Sequence, residues 1–164
     1  MVLKKKRSKR YRPKPVMHDT MSFVMSGMMP FREIRDRALM IMVKHRMSLE
    51  KLRTGLADKD DIDALTSVVN MSEALAIGGI GKEFLSDIQA AEDHLMDLAS
   101  RGAARNMRFT MTSAQWTALK TIVDLHEQQL EASTVYDIEL AYDRIVKRLK
   151  NGQIKLISTT GATA

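Results

Sequence analysis

The chain has 164 residues, 45% hydrophobic and 28% charged, with a formal net charge of +6 and no cysteine. That length suits one domain able to bury roughly two-thirds of its unfolded surface, and the balance of residues excludes wholesale disorder. Lack of cysteine excludes disulfides, thiolate metal sites and cysteine nucleophiles, and it suits a reducing cytoplasm.

The basic excess lies at the start. Lys4, Lys5, Lys6, Arg7, Lys9, Arg10, Arg12 and Lys14 place eight positive charges in fourteen residues without an acid, and the other 150 residues sum to −2. Like charges repel, and Pro13 and Pro15 favour extended backbone, so residues 1–16 are expected to form a disordered arm. No apolar segment with a small-residue cleavage site follows it, so a secretory leader is not expected. Each lysine or arginine that neutralises a phosphate releases a condensed counterion, which makes the arm a candidate DNA or RNA contact. Tyr11 can stack on a base or ribose. Phosphate contacts carry no base information, so binding through the arm would tolerate any sequence. The competing reading is a solubilising tail.

Met17, Met21, Val24, Met25 and Met28 recur at helical spacing, with Asp19 or Thr20 as cap and Gly27 and Pro30 as terminators. Methionine is flexible and polarizable, so this face is a candidate contact for a partner or second subunit, with core filling as the alternative. Its polar side (Asp19, Ser22, Ser26) lacks cations, contrary to a membrane-surface helix. The longest apolar run, Ala38 to Val43, is also far below the roughly 18 residues that span a bilayer.

A second helix is predicted from Phe31 to Arg53, with a seam of Phe31, Ile34, Ala38, Ile41/Met42, His45, Leu49 and Leu52. A third starts after Asp58, its early acids placed where the helix dipole favours them. Ile62, Leu65, Val68/Val69, Ser72 and Leu75/Ala76 form its inner line. Lys82 to Ser100 reads as a fourth through Phe84/Leu85, Ile88, Ala91, Leu95 and Leu98, ending at Gly102. Thr112 and Gln115 match a capping box opening a fifth helix lined by Trp116, Leu119, Ile122/Val123, His126 and Leu130. Ser133 or Thr134 starts a sixth with Tyr136, Leu140, Ile145 and Leu149 inside.

Arg108–Met111 and Ile154–Ile157 alternate in the manner of strands and allow a short two-stranded ribbon. The expected fold is therefore mainly α, a bundle of five or six helices, with that ribbon as an option. Residues 17–158 form the single helical domain, and residues 159–164 a flexible tail. Residues 31–53 carry +4 and residues 54–100 carry −8. This suggests that the basic second helix packs beside the acidic middle, or that the acidic face repels nucleic acid from one side.

Other motifs are weak. The four histidines lack metal-ligand spacing, and His45 and His126 fall on apolar seams, which points to buried histidines. Glu92, Asp93, His94 and Asp97 read as a solvated acidic face or, less readily, a divalent-cation site. Gly78-Gly79-Ile80-Gly81-Lys82 fails the Walker pattern at Ala76 and Glu83 and reads as a helix-to-helix turn. The Ala132–Thr134 junction lacks the glycine often found in a helix-turn-helix. The cationic end of the last helix (Arg144, Lys147, Arg148, Lys150) is a further phosphate candidate, or simply complements the helix dipole.

The segments KKKRSKRYRPKPV and TSAQWTALKTIVDLHEQQLEASTV resemble the basic arm and C-terminal helix pair of small helical proteins of bacterial prophages and mobile elements, a family without an assigned activity. The resemblance implies a phage or mobile-element origin in a bacterial cytoplasm. The combined expectation is a non-enzymatic, cofactor-free accessory protein. Its arm contacts DNA or RNA, and its body forms a homodimer or meets a partner. The alternative is an inhibitor or adaptor of a host protein acting through the Met-rich helix or acidic middle.

Overall fold

The computed structural model describes residues 20–31 and 35–152, apart from the side chains of residues 20–23 and 35–37. The expected arm, the tail, the Asp19 cap and the Ile154–Ile157 strand lie outside the described residues. What is described is mainly helical: α1 (Thr20–Gly27), α2 (Arg35–Thr54), α3 (Lys59–Ile77), α4 (Leu85–Ala103), α5 (Ser113–Ala132) and α6 (Val135–Lys150). Arg108–Met111 is an irregular connector, and no strand occurs among the described residues.

Local chemistry sets the helix starts. Asp58 accepts from the Asp61 amide at 3.1 Å, and the Asp61 carboxylate accepts in return from the Asp58 amide. Thr112 with Gln115 and Thr134 with Asp137 close the same reciprocal box on α5 and α6. Each box satisfies amides that no helical carbonyl can reach.

α3 is the hub, packing against α2, α4, α5 and α6. Ile62, Leu65, Val68 and Val69 from its first half meet Leu49 and Leu52 of α2, Ile88, Leu95 and Leu98 of α4, and Leu119, Ile122 and Val123 of α5. Its second half, through Ala74 and Leu75, meets Ala141 of α6 in a smaller cluster that Ile138 and Ile145 cover. Most of the seam expected for α2 to α5 is buried, but Met42, Leu85 and Trp116 are half-buried, Ile41 and Phe84 are exposed, the half-buried Phe31 precedes α2, and Ile34 lies outside the described residues. The interior expected for α6 needs a larger correction. Tyr136 and Leu149 point outward, and the small Ala141 is the buried residue.

The fourth helix also differs from expectation. Lys82–Phe84 forms a 3-10 turn before α4, and α4 continues through Gly102 to Ala103. The glycine turn ahead of it needs left-handed backbone at Gly79 (φ 107°) and Gly81 (φ 79°), which glycine adopts without a steric penalty. Gln129 ties this turn to α3, its amide donating to Ile80 O at 2.8 Å and to Ser72 O at 3.1 Å.

Candidate functional site

α1 reaches the bundle through main chain. Pro30 and Thr134 form an antiparallel bridge. The Phe31 amide donates to Ser133 O at 2.8 Å, and the Val135 amide to Met29 O at 2.9 Å. Proline fits at the centre because neither bond needs its missing N–H. The Thr134 amide is already satisfied by Asp137 at 2.9 Å.

This junction leaves an apolar groove of about 650 Å³, its walls including Val24, Met28, Met29, Val135 and Tyr136 and its rim Glu139. Met28 is 67% exposed, and Val24 and Met25 are exposed as well. The methionine face expected on α1 is therefore turned outward over residues 24–29, which removes core filling as the explanation for Val24, Met25 and Met28. Met17 and the Met21 side chain lie outside the described residues.

A second groove, of about 560 Å³, runs along α2 beside the start of α3. Leu39, Val43 and Met47 follow one another at four-residue steps, Met40 flanks them, and all four are exposed. Lys44 borders the stripe, and Lys51, Asp58, Asp60 and Asp61 close one end. The inner face of the same helix presents Ala38, His45, Ser48, Leu49 and Leu52 to the core. Reading a single seam overlooked this outer stripe. The signal was the unbroken run Ala38–Val43, which supplies two faces of a helix at once.

Charge organises the α2 contacts in part as expected. Lys51 meets Asp61 at 3.1 Å, so the basic helix does touch the acidic start of α3. Burial pushes the Asp61 carboxyl up, but bonds from the Asp58 amide, the Ser48 hydroxyl (2.8 Å) and Lys51 outweigh this and hold it below the usual range. Arg46 turns to α5 instead, gripping Glu127 through two bonds of 2.7 Å and Asp124 at 2.6 Å. The bonds that Arg46 donates to Glu127 raise the already high guanidinium pKa further.

The cationic end of α6 is divided. Arg148 pairs with Glu73, and Arg144 donates to Ala74 O at 3.3 Å, so both guanidinium groups brace α6 on α3. Lys147 and Lys150 are exposed. Lys4, Lys5, Lys6, Arg7, Lys9, Arg10, Tyr11, Arg12 and Lys14 lie outside the described residues.

His45 and His126 lie in the core, ring centroids 5.4 Å apart. Ser72 Oγ lies 3.2 Å from His126 Nδ1. Burial lowers the His45 pKa to about 4, with Lys44 adding to the effect. Burial also lowers that of His126 to about 3, with His45 adding. Both rings are therefore neutral near pH 7. Ser72 is 0% and His126 3% exposed, so this serine–histidine pair has no access to a substrate.

The acidic group around His94 does not gather. Asp97 is engaged by Arg101 at 3.0 Å and by Gln115 at 2.8 Å. Among the described residues no cluster of histidine or carboxylate side chains has the geometry of a metal site. No helix among them is long and apolar enough to cross a membrane. Compared with known proteins, the chain matches no family model, no curated protein and no solved structure.

Proposed function

We propose that the protein is a non-enzymatic, nucleic-acid-associated accessory protein of a phage or mobile element, working in a bacterial cytoplasm. Its basic arm attaches to DNA or RNA phosphates, and its helical body supplies self- or partner association. One observation carries the reading: eight cations lie in the first fourteen residues, on a chain whose remaining 150 residues sum to −2. A cationic segment of that density attracts polyanions by counterion release. The division of α6 supports the same assignment, because Arg144 and Arg148 are engaged within the bundle, leaving Lys147 and Lys150 as the outward-facing cations of that helix end.

The test compares the full chain with one lacking residues 1–14 on a labelled random duplex across a salt series. Eight phosphate contacts correspond to a slope of about −7 in log K against log salt. The truncated chain is expected to lose binding. Equal affinity with and without the arm at low salt ends this reading.

The exposed Val24, Met25 and Met28 beside the α1–α6 groove favour a second reading, a module that docks on a host protein. An affinity pull-down repeated after nuclease digestion separates the two, since a protein partner held by the groove survives digestion and one bridged by nucleic acid does not.

A further inference from the structure

Arg105 and Arg108 stand at the two ends of one tight turn just past α4. We infer that they form the body's own phosphate contact, gripping the backbone of a nucleic acid that the basic arm holds. The inference rests on the nucleic-acid reading above and adds the place on the body where the strand lies.

Residues 105–108 close their turn through the Arg108 amide, which donates to Arg105 O at 3.3 Å. The two central residues, Asn106 (φ 53°) and Met107 (φ 62°), are both left-handed. Asparagine tolerates that region, but methionine seldom enters it. Met107 is held there, its amide donating to Gly102 O at 2.9 Å and its half-buried side chain packing on the main core. Phe109 is buried one residue beyond Arg108, and Arg101 reaches across to Thr110 O at 3.4 Å. The turn is thus fixed on both sides, and such a turn keeps the Cα atoms of Arg105 and Arg108 within about 7 Å. Backbone held in a sparsely populated conformation by its surroundings is characteristic of ligand sites.

Both arginines are exposed, and neither takes part in an ion pair among the described residues. Between Asp97 and Asp124 the chain has four bases and no acid, whereas the other 124 residues after Lys14 hold 14 bases against 20 acids. Asp97 is taken by Arg101, and Asp124 by Arg46 and Lys120. α3 and α4 pack as consecutive helices across a short turn, so the early acids of α3 share this end of the bundle. Asp61 is held there by Lys51, and Asp58, Asp60 and Asp63 pair with neither arginine.

Two guanidinium groups rooted this close repel each other. A phosphate between them replaces that repulsion with attraction, and the planar guanidinium meets phosphate oxygens through paired N–H bonds. Complementing the dipole of α4 accounts for Arg105 at most, because that effect fades within the last turn and Arg108 lies five residues past Ala103.

The full chain and its Arg105→Gln/Arg108→Gln variant are titrated with a labelled random duplex across a salt series. At about 0.1 M salt the variant is expected to bind roughly tenfold or more weakly, and its slope of log K against log salt should be shallower by about two. The helical spectrum and melting curve should stay unchanged. Should the double variant melt early, either single change is read instead, with about half the change in slope. Arg105→Lys/Arg108→Lys keeps both charges and should return the slope but not the whole affinity, because lysine lacks the planar fork.

Arm-dependent binding that is equal in parent and glutamine variant overturns this inference and leaves the arm reading standing. A parent chain that binds no duplex even at low salt overturns both. Weaker binding by the glutamine variant with an unchanged slope also overturns the inference, since the arginines then act through something other than phosphate.

Discussion

The ring of Phe109 fills the space that any side chain at position 102 would need. A Cβ on Gly102 would stand 2.1 Å from Cδ1 of that ring. Phe109 is 1% exposed and belongs to the main core, so the ring has nowhere to retreat. Gly102→Ala is therefore expected to lower stability in urea by about 1–3 kcal/mol. Phe109→Ala should cost about 3–5 kcal/mol through the cavity it leaves. The double variant should be clearly more stable than the sum of the two losses, because the methyl group then enters a vacated site. Simple additivity in the unfolding curves contradicts this account.

The histidine pair makes stability depend on pH with a defined sign. Folded His45 and His126 titrate at about 4 and about 3, below the ordinary value of 6.5. Above pH 6.5 both states are neutral and the contribution is fully present. Below it the unfolded chain takes up protons that the folded core refuses. Stability then falls by about 1.4 kcal/mol per pH unit per histidine, until the folded values are reached. Urea midpoints measured from pH 7.5 to 4.5 are expected to fall, and His45→Leu or His126→Leu should each flatten the fall by close to one proton. An unchanged slope in both variants would disprove the assignment.

Asp61 joins three tasks: it closes the α3 capping box, accepts from Ser48 and pairs with Lys51. Asp61→Asn removes the charge and turns one accepting oxygen into a donor, at an expected cost of about 1–3 kcal/mol. The folded carboxyl titrates below its ordinary value, so its contribution is complete above the usual carboxylate range and is lost as pH falls through the folded value. Chemical denaturation of the variant at neutral pH should show the loss, and at strongly acid pH the gap to the parent chain should narrow.

The four cations of the α6 end should separate by measurement. Arg148→Ala leaves Glu73 mostly buried without its partner, and Arg144→Ala withdraws a donor from Ala74 O. Both are expected to lower thermal stability. Lys147→Ala and Lys150→Ala remove exposed cations and should leave the melting curve within about 0.5 kcal/mol of the parent. If nucleic acid reaches this end of the bundle, each lysine change lowers the salt slope by about one.

The seams of α3, α4 and α5 were legible because polar residues separate their apolar positions at helical spacing, so few packing faces are available. The Thr112–Gln115 box was legible for the same local reason. α6 was not. Its apolar residues fall on two nearly opposite sides, Tyr136 and Leu140 on one and Ile138, Tyr142, Ile145 and Leu149 on the other, and the close approach of α3 at Ala74 selects the row centred on Ala141. The roles of Arg144 and Arg148 depend on partners 70 and 75 positions away in sequence, a separation that no periodicity encodes. The outer stripe of α2 lay in plain view as an apolar run, but one seam sufficed to explain a helix and the second went unread.

The seat of α1 is built from carbonyls and amides of residues 29, 31, 133 and 135, with a proline at its centre. Substitutions that change only side chains leave those groups in place. The outward residues of this short helix can therefore diverge between related chains, altering what they recognise, while the attachment point is inherited unchanged.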